Sequence, residues 1–168
     1  MSSNKILKKN YLEVIIILVI FFLDRITKLY VIYQDKLISN SELYSSKFLN
    51  IHLIWNEGIA FGLFSFNEDY LYNFLTFLIF LVIIFIIFMI RKSDPLRKYA
   101  LLLVMGGALG NFFDRLIYKA VPDFIDFHVG NFHWFIFNVS DIFITIGIIL
   151  MIIIEIINKP EVTNNEKI

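Results

Sequence analysis

Four aspartates, Asp114, Asp123, Asp126 and Asp141, fall between Gly106 and Asp141 together with Asn111, Asn131, Asn138 and Arg115. Carboxylates grouped in this way can do acid–base chemistry. Two of them held close together out of water cannot both ionise easily, so such a pair keeps one proton near neutral pH. The ionised member takes a proton from water, and the protonated member hydrogen-bonds a carbonyl. That titration belongs to the pair, so neither role attaches to a named residue at this point. Other hydrolytic routes are closed: the chain has no cysteine, no HExxH and no serine elbow of the GxSxG kind. His52, His128 and His133 lack metal-ligand spacing, so no metal and no cofactor is expected.

The elements that position these acids are apolar. Hydrophobic residues make up 58% of the 168, with 19 Phe, against roughly 45–50% in soluble domains, which marks a membrane protein. Net charge is zero, with 15 basic and 15 acidic residues, so no nucleic-acid partner is expected. At about 20 residues per membrane helix the chain has room for four spans. The pattern places them at roughly 11–33, 69–90, 99–118 and 138–157. The first resembles a signal peptide but lacks a small-residue cleavage site, and is read as retained. Between spans one and two, Leu49 to Trp55 alternates as a strand does, and Asn56 to Gly62 (NEGIAFG) brings two glycines for a tight turn or close approach. Between spans three and four, Val129 to Phe132 reads as a hairpin turn.

The expected fold class is therefore an all-α membrane protein of four transmembrane helices. A small extracytoplasmic β-rich segment joins helices 1 and 2, and a loop or hairpin joins helices 3 and 4. Residues 1–158 form a single domain, and 159–168 a disordered cytoplasmic tail. Lys and Arg number three at the N-terminus, four in the 91–98 loop and two in the tail, against only Lys36, Lys47 and Lys119 in the opposite segments. By the positive-inside rule both termini are cytoplasmic.

This topology fixes depth. Asp24, the fourteenth residue of an outward-running span, lies ~20 Å in. Asp114, Asp123 and Asp141 reach the same leaflet from span three, the following segment and the start of span four. Ionisable residues gathered at one depth mark a site. On depth alone Asp114 is as good a partner for Asp141 as Asp123 is. Gly107, Asn111 and Asp114 share a helix face. Gly106 and Gly110 form a GxxxG pair, which more often means close packing. Each acid also has a plainer reading. Asp24 and Lys28 make an ordinary i,i+4 ion pair; Asp114 and Arg115 make a buried pair that fixes packing. Asn138 and Asp141 make a helix cap. Asp126, beside the turn, is expected to be solvated.

Five motifs, in order, sharpen the reading: DRITK (Asp24 to Lys28), NEGIAFG, GGALGNFFDR (Gly106 to Arg115), VPDFIDF (Val121 to Phe127) and FNVSD (Phe137 to Asp141). Together they resemble the bacterial lipoprotein signal peptidases, the type II signal peptidases, over roughly residues 15–150. The resemblance implies an aspartic endopeptidase of the bacterial cytoplasmic (inner) membrane, active near the outer leaflet. Its substrate would be a diacylglyceryl-modified prolipoprotein, cut just before the lipidated cysteine. It also implies Asp123 and Asp141 as the catalytic dyad. Asn111, Asp114, Arg115, Asn138, Asp24, Lys28, Asn56 and Gly58 then fall at supporting or substrate-binding positions. A groove open to the cyclic peptide globomycin is implied too. Membrane lipid is the expected surrounding partner, and the enzyme is expected to be a monomer.

Two positions depart from the family pattern. Ser140 replaces the usual alanine, and its hydroxyl is expected to add a hydrogen bond near Asp141. Phe135 stands where Pro or Ala is frequent and is expected to narrow the substrate mouth. A small proton-coupled transporter is the competing reading, since intramembrane carboxylates suit it too. Its key acid belongs near the bilayer midplane, whereas these gather at one leaflet. Within the polar stretch, Gly106 to Arg115 is expected to be a packed helix face and Val121 to Asp126 a loop presenting Asp123. The helix start at Asn138 to Asp141 would favour an ionised Asp141, which pulls against equal proton sharing.

Overall fold

Helix starts and stops follow the local chemistry of the chain. Asp94 accepts from the backbone N–H groups of Leu96 and Arg97, and Pro95 occupies the first helical position, so a helix begins where the 91–98 loop ends. It closes at Lys119, whose φ of 54° breaks the helical run. Asn138 and Asp141 form a reciprocal capping box that starts the last helix.

The computed structural model describes residues 3–38, 42–58 and 69–158. In chain order the elements are α1 (Ser3–Leu37), β1 (Glu42–Ser45), β2 (Leu49–Asn56), α2 (Asp69–Lys92), α3 (Pro95–Tyr118), β3 (Val121–Val129), β4 (Phe132–Phe137) and α4 (Val139–Ile157). Among the described residues, three helical stretches are long and apolar enough to cross a membrane: Tyr72–Lys92, Pro95–Tyr118 and Val139–Ile157. In α1 the apolar run is broken by Asp24, Arg25 and Lys28.

Helix α3 is the centre of the bundle and packs on α1, α2 and α4. Its glycines make this possible. A Cβ at Gly106 would lie 2.7 Å from Ile20 of α1, and one at Gly107 would overlap the Ser140 carbonyl of α4. The GxxxG expectation thus holds, with the two faces of the glycine stretch serving two neighbours. Gly147 of α4 returns the fit against Val104 and the Ala100 carbonyl. Ile83, Ile86, Leu101, Val104 and Met105 form the buried apolar cluster between α2 and α3.

The fold corrects the all-α expectation in one respect. The β-rich segment after helix 1 and the hairpin after helix 3 join in one four-stranded antiparallel sheet, ordered β1-β2-β3-β4. Chain order equals spatial order, but β2 and β3 are separated by two helices. Asp123 accordingly stands on a strand and not on a loop. In the first half of β3, Val121, Pro122, Asp123 and Phe124 are all buried, so the alternation that reveals a half-exposed strand is missing. The hairpin turn is where it was expected, with Gly130 at φ 59° between β3 and β4. Ile59 to Gly62 of the glycine-containing motif, and the expected tail at 159–168, lie outside the described residues.

Candidate active site

Asp123 and Asp141 line one cavity of about 350 Å³. Asp123 arrives on β3 opposite Ile54 of β2, where β2 carries one extra residue between its pairings of Ile51 and Ile54. Such a bulge re-aims the facing side chain. Asp141 arrives on the first turn of α4. Asn138 joins them. Its side-chain amide donates to Asp123 Oδ1 at 2.6 Å, and its backbone N–H donates to Asp141 Oδ2 at 3.1 Å. Its own carbonyl oxygen accepts the Asp141 N–H at 3.2 Å.

Each carboxylate has a further amide donor. Asn56 donates to Asp123 Oδ2 at 2.9 Å, and Asn111 donates to Asp141 Oδ1 at 2.8 Å. Asn56 is held in turn by the Gly58 N–H, which donates to its Oδ1 at 2.9 Å. Asp123 is only 4% exposed. Burial, reinforced by the nearby charge of Asp141, pushes its carboxyl up to about 7, against the opposing hydrogen bonds from Asn56 and Asn138. Around neutral pH it therefore exists in both protonation states.

Much of the remaining wall is apolar. Ile79 of α2 and Ile144 and Ile148 of α4 continue the cavity along the helices, and Phe135 closes it from β4. Phe135 packs on Phe137 at 5.2 Å and also borders a second, aromatic cavity of about 470 Å³ over the sheet, with Phe48, Phe127 and Trp134. Arg115 lines the dyad cavity as well. Its Nη2 donates to the Gly58 carbonyl at 2.6 Å, while buried Nε and Nη1 have no partner among the described residues.

Behind the cavity lies a buried quartet of charges. Lys28 Nζ reaches Asp24 Oδ1 at 2.9 Å and Asp114 Oδ2 at 2.7 Å. Arg25 reaches Asp24 Oδ2 at 3.0 Å and Asp114 Oδ1 at 2.6 Å, the latter an ion pair by distance but not a hydrogen bond by angle. The Ser140 N–H donates to Asp24 Oδ1 at 3.0 Å, which ties α4 to α1. Removing one member would leave an uncompensated buried charge, a loss of roughly 3–5 kcal/mol.

Of the residues expected from sequence, Asn56, Asn111, Arg115 and Asn138 line the cavity with the two acids. Gly58, Asp24, Lys28 and Asp114 support it from behind. Three expectations are corrected. Asp114 pairs with Arg25 and Lys28 of α1, while Arg115 turns away to donate to the Gly58 carbonyl. The Ser140 hydroxyl adds no bond near Asp141. Close packing of α4 on α3 turns it against Gly110, and it has no partner among the described residues. Asp126 is not solvated. It is 1% exposed, accepts from Asn50 Nδ2 at 3.3 Å, and meets His133 Nδ1 at 2.8 Å.

Sequence reasoning passed over Arg25, although it stands beside Asp24 in the first motif. It also missed Tyr72, whose hydroxyl donates to the Arg115 carbonyl at 3.2 Å. Asn50 and His133, the partners of Asp126, were equally out of reach, since their signal is a strand register and not a spacing.

Known proteins are similar to this chain over most of its length. A family model described as signal peptidase (SPase) II matches residues 16–157. The lipoprotein signal peptidase of Pelagibacter ubique (strain HTCC1062) is 52% identical over 164 residues, covering 97% of this chain and 99% of the relative. That of Anaplasma phagocytophilum (strain HZ) is 34% identical over 156 residues, covering 92% and 98%. Two solved structures, each described as a bacterial membrane enzyme determined by the in meso method, superpose with TM-scores of 0.73 and 0.72. Their identities are 30% and 31%, and they cover 93% and 88% of this chain, and 93% and 94% of their own. The chain belongs to the signal peptidase II family.

Proposed function

We propose that Asp123 and Asp141 are the catalytic dyad of an aspartic endopeptidase that removes the signal peptide from diacylglyceryl-modified prolipoproteins, cutting just before the lipidated cysteine. The peptidase class follows from the family. The observation that carries the aspartic mechanism is the convergence of two buried carboxylates on one cavity, each held by amide donors and joined through Asn138.

With one proton between them, the ionised carboxylate takes a proton from water as its oxygen attacks the scissile carbonyl. The protonated one stabilises the developing oxyanion. Arg115, whose Nε and Nη1 have no partner among the described residues, lines the cavity and offers donors to a substrate carbonyl beside the reacting bond. Ile79, Ile144 and Ile148 provide the apolar wall along which a signal-peptide segment or its lipid would lie. Nothing in this scheme calls for a cofactor.

The membrane placement follows from the same residues. Helix α1 is a fourth span. It exposes Leu18, Phe22, Ile26 and Leu29 on its outer face and turns Asp24 and Lys28, both 0% exposed, inward. The basic residues put both termini and the 91–98 loop in the cytoplasm, within a single domain over 1–158. The sheet then lies on the outer side of the cytoplasmic membrane, and the dyad sits where α3 ends and α4 begins, near the outer leaflet. The protein acts as a monomer surrounded by lipid.

Purified protein in liposomes should convert a lipidated precursor to its mature form and leave the unlipidated precursor uncut. Equal cleavage of both would contradict a reaction at the membrane surface.

A further inference from the structure

Lys28 lies behind the dyad and forms no part of the cavity wall. An ammonium has three N–H donors and no acceptor. It donates to Asp114 Oδ2 and to Asn111 Oδ1, each at 2.7 Å, and forms an ion pair with Asp24 Oδ1 at 2.9 Å. Two of these acceptors are counter-charges, but the third is a neutral amide. Because Lys28 can only donate, Asn111 must turn its carbonyl toward the ammonium and its NH₂ toward Asp141. That NH₂ can only donate, so Asp141 Oδ1 must accept, which it does at 2.8 Å. The direction of the whole chain of bonds is thus set by one buried cation.

Among the described residues no bond runs from Lys28 to Asp123 through an amide. The donors to Asp123 are Asn56, whose carbonyl oxygen faces the Gly58 N–H, and Asn138, whose carbonyl oxygen faces the Asp141 N–H. Asp141 also stands at the third position of α4, where the positive end of the helix favours an anion. Among the described residues, the charged groups facing this region are Asp24, Arg25 and Lys28 from α1, Asp114 and Arg115 from α3, Asp123 from β3, and Asp141 itself from α4. Asp24, Arg25, Lys28 and Asp114 balance one another. Besides its charge, Lys28 passes a hydrogen-bond direction to Asp141 through Asn111.

We infer that Lys28 is a positioning residue which, through Asn111, makes Asp141 the ionised member of the dyad and leaves the proton to Asp123. The inference rests on the dyad reading above. Asp141 takes a proton from water while the water oxygen bonds to the scissile carbon, and Asp123 gives its proton to the carbonyl oxygen. When the tetrahedral intermediate collapses, the C–N bond breaks and Asp141 passes its proton to the leaving nitrogen. Asp123 regains one from a hydroxyl of the intermediate. Both carboxyls end as they began.

The test is the pH dependence of kcat and KM for a lipidated precursor in liposomes. Two variants are compared with wild type. Asn111→Leu cuts the relay while leaving every ion pair of Lys28 in place. Lys28→Met combined with Asp24→Asn cuts it from the other end while keeping the buried charge balanced. The expected result is that the acid-side limb of the kcat profile moves up by about one pH unit in both, a roughly ten-fold loss on that side, with KM within about two-fold of wild type. An acid limb that stays in place in Asn111→Leu, whatever the fall in kcat, would overturn the relay. That outcome would leave the dyad reading untouched, since substitutions of Asp123 and Asp141 themselves decide it.

Discussion

The side-chain amide of Asn138 donates to Asp123 at 2.6 Å while the carbonyl oxygen of the same side chain accepts the Asp141 N–H at 3.2 Å. A residue that caps a helix thereby also sets the orientation of a carboxylate on a neighbouring strand. Helix start and candidate site are one construction. The spacing between Asn138 and Asp141 is a capping spacing first, and it brings the acid of α4 toward the acid of β3.

The first consequence concerns pH. Burial and the Asp141 charge push the Asp123 carboxyl up to about 7, far above the ~3.9 of an unfolded chain. Between those values the folded protein binds more protons than the unfolded one, so this group's contribution to stability falls as pH rises from about 4 to about 7 and is constant beyond. Asparagine at 123 does not titrate. The Tm of Asp123→Asn minus that of wild type should become more positive between pH 5 and pH 8, read by thermal unfolding in detergent. Processing by wild type should decline above about pH 7 as the proton is lost. A rate that stays level to pH 9 would contradict this.

Ser140 and Gly110 make a second, separate case. The buried Ser140 hydroxyl has no hydrogen-bond partner among the described residues and lies against Gly110. Ser140→Ala should therefore retain activity and gain about 1 kcal/mol, the cost of an unmet buried polar group. Gly110→Ala should lose roughly 1–3 kcal/mol by overpacking, because its Cβ would meet both that hydroxyl and the Asp24 carboxylate, the latter at 2.6 Å. In the double variant part of that loss should be recovered, since one of the two obstructions is gone. A thermal-melt cycle of the four proteins measures it.

Asp126 offers the contrast to Asp123. It is buried three residues further along β3, but it faces Asn50 and His133 and does not line the dyad cavity. Asp126→Asn should process precursor at close to the wild-type rate and melt at a lower temperature, because the β3–β4 hairpin loses its tie to His133. Loss of turnover with an unchanged melt would place Asp126 in the chemistry.

These cases show what one chain of letters can carry. Helices α2, α3 and α4 are legible because a membrane helix is a long local pattern with Asp94, Pro95 and Asn138 as punctuation. Strand β2 is legible because Leu49 to Trp55 alternates. Strand β3 is not, because its first four residues are buried irrespective of facing, and two of its acids imitate a loop. The pairing of β2 with β3 joins segments separated by two helices, and no local signal encodes it. In the site, the spacing of Asn111, Asp114, Asn138 and Asp141 shows on helix faces. The choice between Arg25 and Arg115 as the partner of Asp114 depends on how α1 meets α3, and only the packing of Gly106 on Ile20 and of Gly110 on Asp24 reveals it.

The most direct measurement is a gel-shift assay of a lipidated precursor with purified Asp123→Asn and Asp141→Asn proteins in liposomes. Each variant is first checked for folding by its melt. Both keep the shape of the site and remove one ionisable oxygen, and positioned acid–base groups contribute roughly 10²–10⁴-fold. Each should therefore leave the precursor unprocessed over a time in which wild type converts all of it. Full conversion by either folded variant would contradict the dyad.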